Sequence, residues 1–357
     1  MKQILVIQNK RIGDVLISSV LANNLKKVFP DSHITYFVYD YTVGVLQGNP
    51  NIDHIEVAND KELKKFGVLI STIRQIRKKN YDIIFDPYAK LQSRLMCLFS
   101  GADYRIGFVR PGKRLPLPFY THPVPFIKTH SRACGKAIEN RINLIDQVFP
   151  LEMIDDVPRI HLEAEERQYR GLNEIKPPVV MVGVLGSTAI KSMPYDYIVQ
   201  LIDGICERYA VTLLFNYAPH QKEEALKIYQ ACRYPDQINM EIYEDSIRGF
   251  VKLMNQCDLL VANEGGSVHI AKALNKPTFT IYSPYIEKVD WNSFEDGIIH
   301  NSMHLLDEKP ELYDGFTREQ RKAIEQNPET MYRELTPEMI AEKLTPFLDN
   351  HLKASRK

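Results

Sequence analysis

The chain has 357 residues, more than one hydrophobic core usually serves, so two domains are the expectation. Apolar and charged fractions of 44% and 25% exclude a disordered chain, and no apolar run approaches the roughly 20 residues that span a bilayer. Formal charge is zero, and the five scattered cysteines (Cys97, Cys134, Cys206, Cys232, Cys257) form no Cys-x-x-Cys pair, which excludes a structural zinc ribbon and suits a cytoplasmic setting.

In chain order, Ile4 to Ile7 is a short apolar run suited to a strand covered on both faces. A loop over 9–14 leads into a helix with apolar positions Leu16, Val20, Leu21, Leu25 and Val28, closed by Pro30. A strand over 33–39, an amphipathic helix over 63–79 and a strand over 81–85 follow, the last ending at Asp86-Pro87. The second half repeats this scheme. It reads as a strand over 179–184, a loop over 186–191, a helix over 195–209 and a strand over 211–215. Helices over 222–232 and 246–255 follow, then a strand around Leu259-Leu260-Val261, a helix over 268–274 and a strand over 278–282. Strand–helix alternation predicts parallel sheets covered by helices on both sides. The polar stretch 163–178 is the expected linker, and 337–348 reads as a last helix. The fold class is therefore α/β: two Rossmann-like, doubly wound domains over 1–165 and 166–335, facing a cleft, with a C-terminal helix and tail over 336–357. Such folds bind ligands at the carboxyl ends of their strands. The first loop has only Gly13, and G-x-G-x-x-G is absent after either leading strand, which argues against a dehydrogenase.

Chemistry concentrates in Cys257 to Pro284, where a buried strand breaks at Glu264-Gly265-Gly266-Ser267 and re-forms as a helix. A helix that starts at adjacent glycines offers unpaired N–H groups and a positive dipole end, and so favours a phosphate or pyrophosphate. Glu264 and His269 are polar groups that this turn can bring close together. An anionic leaving group, and hence a nucleotide-activated substrate, is the implication. Asp14 and Lys191 have plainer readings, as a helix N-cap and as an exposed lysine.

Taken together, Arg11 to Leu16, Tyr81 to Asp86, Gly101 to Phe108, Gly186 to Lys191 with Pro194, and Asn263 to Pro277 resemble, in order and spacing, the ADP-heptose:lipopolysaccharide heptosyltransferases of glycosyltransferase family nine. The resemblance spans roughly residues 1 to 290. It implies a GT-B fold, with the acceptor on the N-terminal domain, the donor nucleotide-sugar on the C-terminal domain, and neither cofactor nor metal. It implies that Asp14 is the general base for an inverting, direct displacement and that Lys191 neutralises the pyrophosphate. Ser187, Thr188, Glu264, Gly265, Gly266, Ser267 and His269 are then donor-binding, and the ribose glutamate falls at Glu223, with Gln221 as the alternative register. Where the family usually has Asp-Ser/Thr-Gly, this chain has Glu264-Gly265-Gly266, which leaves the sugar open.

Between Tyr104 and Arg141 stand eight basic residues against the single acid Glu139, within a run of prolines and aromatics. An anionic partner fits this segment. No nucleic-acid motif accompanies it, so a phosphorylated glycolipid acceptor at the inner membrane surface is the expected partner, contacted peripherally through Arg11, Arg110, Lys113 and Arg114. The alternatives are a relative that uses another nucleotide-sugar and a sugar-nucleotide-binding protein without catalysis.

Overall fold

The structure is a computed structural model that describes residues 1–110, 118–172, 175, 178–327 and 329–352. Lys113 and Arg114 lie outside the described residues. The chain divides into two compact units, Met1–Leu162 with Val289–Ser293, and Glu163–Lys288 with Phe294–Lys357.

The first unit holds β1 (Gln3–Ile7), α1 (Ile12–Val28), β2 (His33–Tyr39), β3 (His54–Ala58), α2 (Asp60–Leu63), α3 (Phe66–Lys78), β4 (Ile83–Asp86), α4 (Leu91–Ser100), β5 (Tyr104–Val109), β6 (His122–Pro125) and α5 (Gly135–Asp146). Its six strands are all parallel, in the order β3-β2-β1-β4-β5-β6. Ile4 to Ile7 are at most 1% exposed, as a strand inside a doubly covered sheet requires. α1 is buried from Val15 to Leu25, polar residues included. Most of these find partners: Ser18 donates to the Val15 carbonyl at 2.7 Å, Asn24 donates to the carbonyls of Val20 and Asp155 at 2.7 Å, and Asn23 accepts from Asn51 at 2.9 Å.

The expected helix over 63–79 is two helices, because Asn59 accepts from the N–H groups of Lys61 and Glu62 and starts α2 early. The described residues of the basic segment are largely built into the first unit. The segment contains β5, β6 and the start of α5, and much of its charge is committed inside the unit. Arg105 donates to the carbonyls of Phe119 and Ala102 at 3.2 and 3.0 Å, and Lys136 lies 2.8 Å from Asp290.

The second unit holds β7 (Val179–Gly183), α6 (Tyr195–Arg208), β8 (Thr212–Asn216), α7 (Lys222–Ala231), β9 (Ile238–Asn239), α8 (Ile247–Gln256), β10 (Leu259–Asn263), α9 (Gly266–Ala273), β11 (Thr278–Ile281), β12 (His300–Met303), α10 (Leu305–Glu308), α11 (Arg318–Gln326), α12 (Glu329–Tyr332) and α13 (Pro337–His351). Its sheet order is β12-β11-β10-β7-β8-β9, again all parallel. Numbered within the unit, this is the same 3-2-1-4-5-6 winding as the first sheet. Two elements differ from the sequence expectation. Glu166, in the stretch read as a linker, is ion-paired with Arg248 and with Lys252 of α8, so this stretch begins the second unit. The final helix is no separate tail, since Ile340, Leu344, Phe347 and Leu348 are buried in the second core.

Candidate functional site

In a 3-2-1-4-5-6 sheet the winding reverses between the first and fourth strands, and the loops leaving these strands diverge to leave room for a ligand. Here those strands are β1 and β4 in the first unit and β7 and β10 in the second. The residues that stand out in the sequence follow these strands.

In the first unit, β1 runs into α1, and Asp14 lies in the first turn of that helix. Asp14 is not the N-cap: Arg11 holds that position and makes no side-chain capping bond. The carboxylate instead accepts from Arg141 Nη2 of α5 at 2.6 Å and stays 24% exposed. Arg141 is fixed from its other side, donating through Nη1 to the Ala137 carbonyl at 2.7 Å. Burial draws its guanidinium pKa down, and Asp14 opposes that pull. A partly exposed carboxylate bonded to a buried, doubly anchored cation is fixed in orientation and still open to solvent.

Beside it, Asp86 closes β4 fully buried. Burial pushes its carboxyl up to about 6, against hydrogen bonds donated by the Tyr120 hydroxyl at 2.7 Å and the Ala89 N–H at 2.8 Å. Gly107 makes that bond reachable, since a Cβ there would stand 2.3 Å from the Tyr120 ring.

In the second unit, the loop after β7 folds back on itself. Gly186 is required there, because its Cβ would lie 2.1 Å from the Lys191 carbonyl oxygen. Gly186 N–H donates to Ser192 Oγ at 3.0 Å, and Gln221 Nε2 donates to the Gly186 carbonyl at 2.9 Å. The loop closes in a turn of 3-10 helix, Ala189–Lys191, which brings Lys191 Nζ to 3.1 Å from Glu264 Oε1. Glu264 is 6% exposed, and its other oxygen accepts from Ser283 N–H at 2.9 Å. Burial pushes its carboxyl up, while Lys191 and the Ser283 N–H hold it down. Ser283 also donates through its hydroxyl to the Ile190 carbonyl at 2.6 Å, tying the lysine loop to the end of β11.

After Glu264 the chain passes through an extended Gly265 into α9, which starts at Gly266, two residues earlier than the spacing suggested. Gly265 does not adopt a left-handed conformation, and a Cβ at this position would meet nothing within 4 Å. The space beside the helix start is open.

Residues 69–312 match the model of glycosyltransferase family 9 (heptosyltransferase), more than half of the chain. The chain belongs to glycosyltransferase family 9. This family 9 enzyme is similar to a putative glycosyltransferase of Haemophilus influenzae, 22% identical over 296 residues that cover 79% of this chain and 82% of that protein. Among solved structures it is similar to a family 9 glycosyl transferase of Veillonella parvula, with a TM-score of 0.79, 17% identity and 97% of each chain covered. It is also similar to the Escherichia coli ADP-heptose lps heptosyltransferase II, with a TM-score of 0.71, 19% identity and 98% of each chain covered. The fold is GT-B.

Within the enzyme, the second unit brings Lys191, Glu264, Gly265, Gly266 and Ser267 to one edge of its sheet. Ser187 and Thr188 are exposed in the lysine loop, and His269 is half-buried in α9. Glu264 is buried, and Lys191, paired with it, is not an ordinary exposed lysine. Gln221 is spent on the loop itself, accepting from Ala218 N–H at 2.9 Å as well as donating to Gly186. Glu223 is exposed in the first turn of α7. In the first unit, Arg11 and Arg110 are exposed. Sequence reasoning missed the roles of Arg141 and Ser283. Arg141 lies 127 positions from Asp14 and was legible only as one charge in a basic run.

Proposed function

We propose that this enzyme moves a heptose from ADP-heptose to a lipopolysaccharide inner-core acceptor, with inversion and by direct displacement. The observation that carries the donor half is the ion pair of Lys191 with buried Glu264, 3.1 Å apart, beside a glycine-led helix start with open space over Gly265. A helix N-terminus and a lysine together suit a pyrophosphate, whose departure is the costly part of the reaction. On the acceptor half, Asp14 takes the proton from the attacking hydroxyl as the oxygen bonds to the anomeric carbon and the bond to the diphosphate breaks. Arg141 holds the carboxylate in place. Arg11 and Arg110, both exposed in the first unit, are the cations this reading assigns to the anionic head of the acceptor.

Two substitutions test the assignment. Asp14→Asn should cost about 10²–10⁴ in kcat and leave ADP affinity unchanged. Lys191→Ala should weaken ADP in an equilibrium titration and lower kcat as well. Turnover of Asp14→Asn within a factor of a few of wild type removes Asp14 from the mechanism. Unchanged ADP affinity together with unchanged kcat in Lys191→Ala leaves that lysine structural.

A second reading, in which the donor is another nucleotide-sugar, rests on Glu264 standing where the family resemblance implies a shorter aspartate. Thermal shifts with ADP, UDP and GDP sugars separate the two readings, since a ligand at a hundredfold excess over Kd stabilises by about 2.7 kcal/mol.

A further inference from the structure

The carboxyl edge of the first sheet carries the starts of α3 and α4 as well as the start of α1 with Asp14. Phe66, the first residue of α3, is 77% exposed, and Leu91, the first residue of α4, is 66% exposed. The two helix starts are tied together, because Gln92 Nε2 donates to the Leu63 carbonyl at 3.1 Å, and α3 packs along α4. A single exposed apolar residue needs no explanation, whereas two large ones on adjoining helix starts mark a contact surface.

The charge around them gives the occupant. Lys61, Lys64 and Lys65 precede Phe66, Lys90 precedes Leu91, and all four are exposed. Lys64 and Lys65 lean on Asp60 and Glu62 at 3.2 and 2.7 Å but keep 62% and 64% of their side chains in solvent. α3 itself contains Arg74, Arg77 and Lys78 and no acid. Around the two tips themselves stand Lys61, Lys64, Lys65 and Lys90 against Asp60 and Glu62. Apolar tips ringed by lysines match an anionic bilayer surface, where the tips enter the acyl boundary and the ammonium groups remain among the lipid phosphates.

We propose that the α2–α4 face docks on an anionic membrane, with Phe66 and Leu91 as the inserted residues. The proposal rests on the reading of the acceptor as a glycolipid, and it places the contact here rather than on the segment from Tyr104 to Arg141. Docking at this face sets the edge that bears Asp14 at the lipid surface, where a lipid-linked sugar presents its hydroxyls.

The test is sedimentation of the full chain with vesicles of phosphatidylglycerol and phosphatidylcholine, and separately of phosphatidylcholine alone. Wild type should bind the anionic vesicles, and bind them at least tenfold more weakly at 1 M salt than at 0.1 M, as the Debye length falls from about 10 Å to about 3 Å. Phe66→Asp with Leu91→Asp should reduce binding at least tenfold, and Lys61→Glu with Lys90→Glu should do so without touching an apolar residue. Unchanged melting temperatures and ADP affinities verify that the variants are folded. Their turnover on a deacylated, soluble acceptor should equal that of wild type, while turnover on vesicle-borne acceptor falls. Binding unaltered by either double substitution, equal binding to neutral vesicles, or a change in oligomeric state in place of lipid binding overturns the proposal. Sedimentation needs neither donor nor transfer, so its failure is distinguishable from failure of the glycosyl-transfer reading.

Discussion

Arg141 makes Asp14 more than an acid on a loop. Its fork spans from the Ala137 carbonyl to the Asp14 carboxylate, at 2.7 and 2.6 Å, and one planar group fixes both. Arg141→Met removes the fork and frees the carboxylate to rotate, so kcat should fall by at least tenfold with the donor KM unchanged. Arg141→Lys should not restore the rate, since a single ammonium cannot reproduce the fork. Steady-state kinetics on both variants checks this positioning role, and a shift confined to KM sinks it. The position of Asp14 after the first strand was legible in the sequence. Its partner was not, because an ion pair closed across 127 residues leaves no local signal.

At the scale of elements, the segment from Glu163 to Arg167 shows how a polar stretch becomes structure. Glu166 accepts from Arg248 Nε at 2.9 Å and from Arg248 Nη2, with Lys252 at 3.2 Å. The Arg248 hydrogen bonds, joined by Lys252, hold its carboxyl down at about 2, against an ordinary value of 4.5. A carboxylate depressed in the folded state contributes stability that is full above pH 4.5 and lost as pH falls towards 2. A shift of that size corresponds to about 3 kcal/mol as an upper figure, so Glu166→Gln should destabilise the second unit by about 1–3 kcal/mol at pH 7. Urea unfolding at pH 7 and at pH 3 should show the gap to wild type narrowing at the lower pH, and a constant gap refutes the linkage. Regular strands such as Ile4 to Ile7 and Leu259 to Val261 announced themselves by unbroken apolar runs. Elements that were missed lack that signal: β6 reads His-Pro-Val-Pro, and β9 is two residues long. The pairing of both is set by neighbours distant in sequence.

At the scale of the molecule, the same winding is built twice with different cores. The second core is completed by α13 and the residue that follows it, where Ile340, Leu344, Phe347, Leu348 and Leu352 are each at most 3% exposed. Tyr209 at the end of α6 secures the same helix by donating to Asp349 at 2.8 Å. Burial of five such side chains, at about 1.5–3 kcal/mol each, amounts to on the order of 10 kcal/mol, comparable with the whole stability of a domain. Truncation before Pro337 should therefore leave the second unit unfolded. Hydrogen exchange should show β7, β8, β10 and β11 unprotected in the truncated chain, while β1, β2 and β4 keep their protection. Protection of β10 in the truncated chain would show that the second core closes without its last helix.

The contact between Lys191 and Glu264 gives the ammonium an anionic partner from within the protein. In the reading proposed above, an arriving diphosphate meets an ammonium already neutralised by a resident carboxylate, so entry is an exchange of anions. Stray phosphate, with little else to hold it, competes poorly against a tethered rival. In the same reading, once the sugar has left, the carboxylate that lies 3.1 Å from the lysine in this structure reclaims it and helps eject the nucleotide. Selectivity on the way in and turnover on the way out then share one side chain.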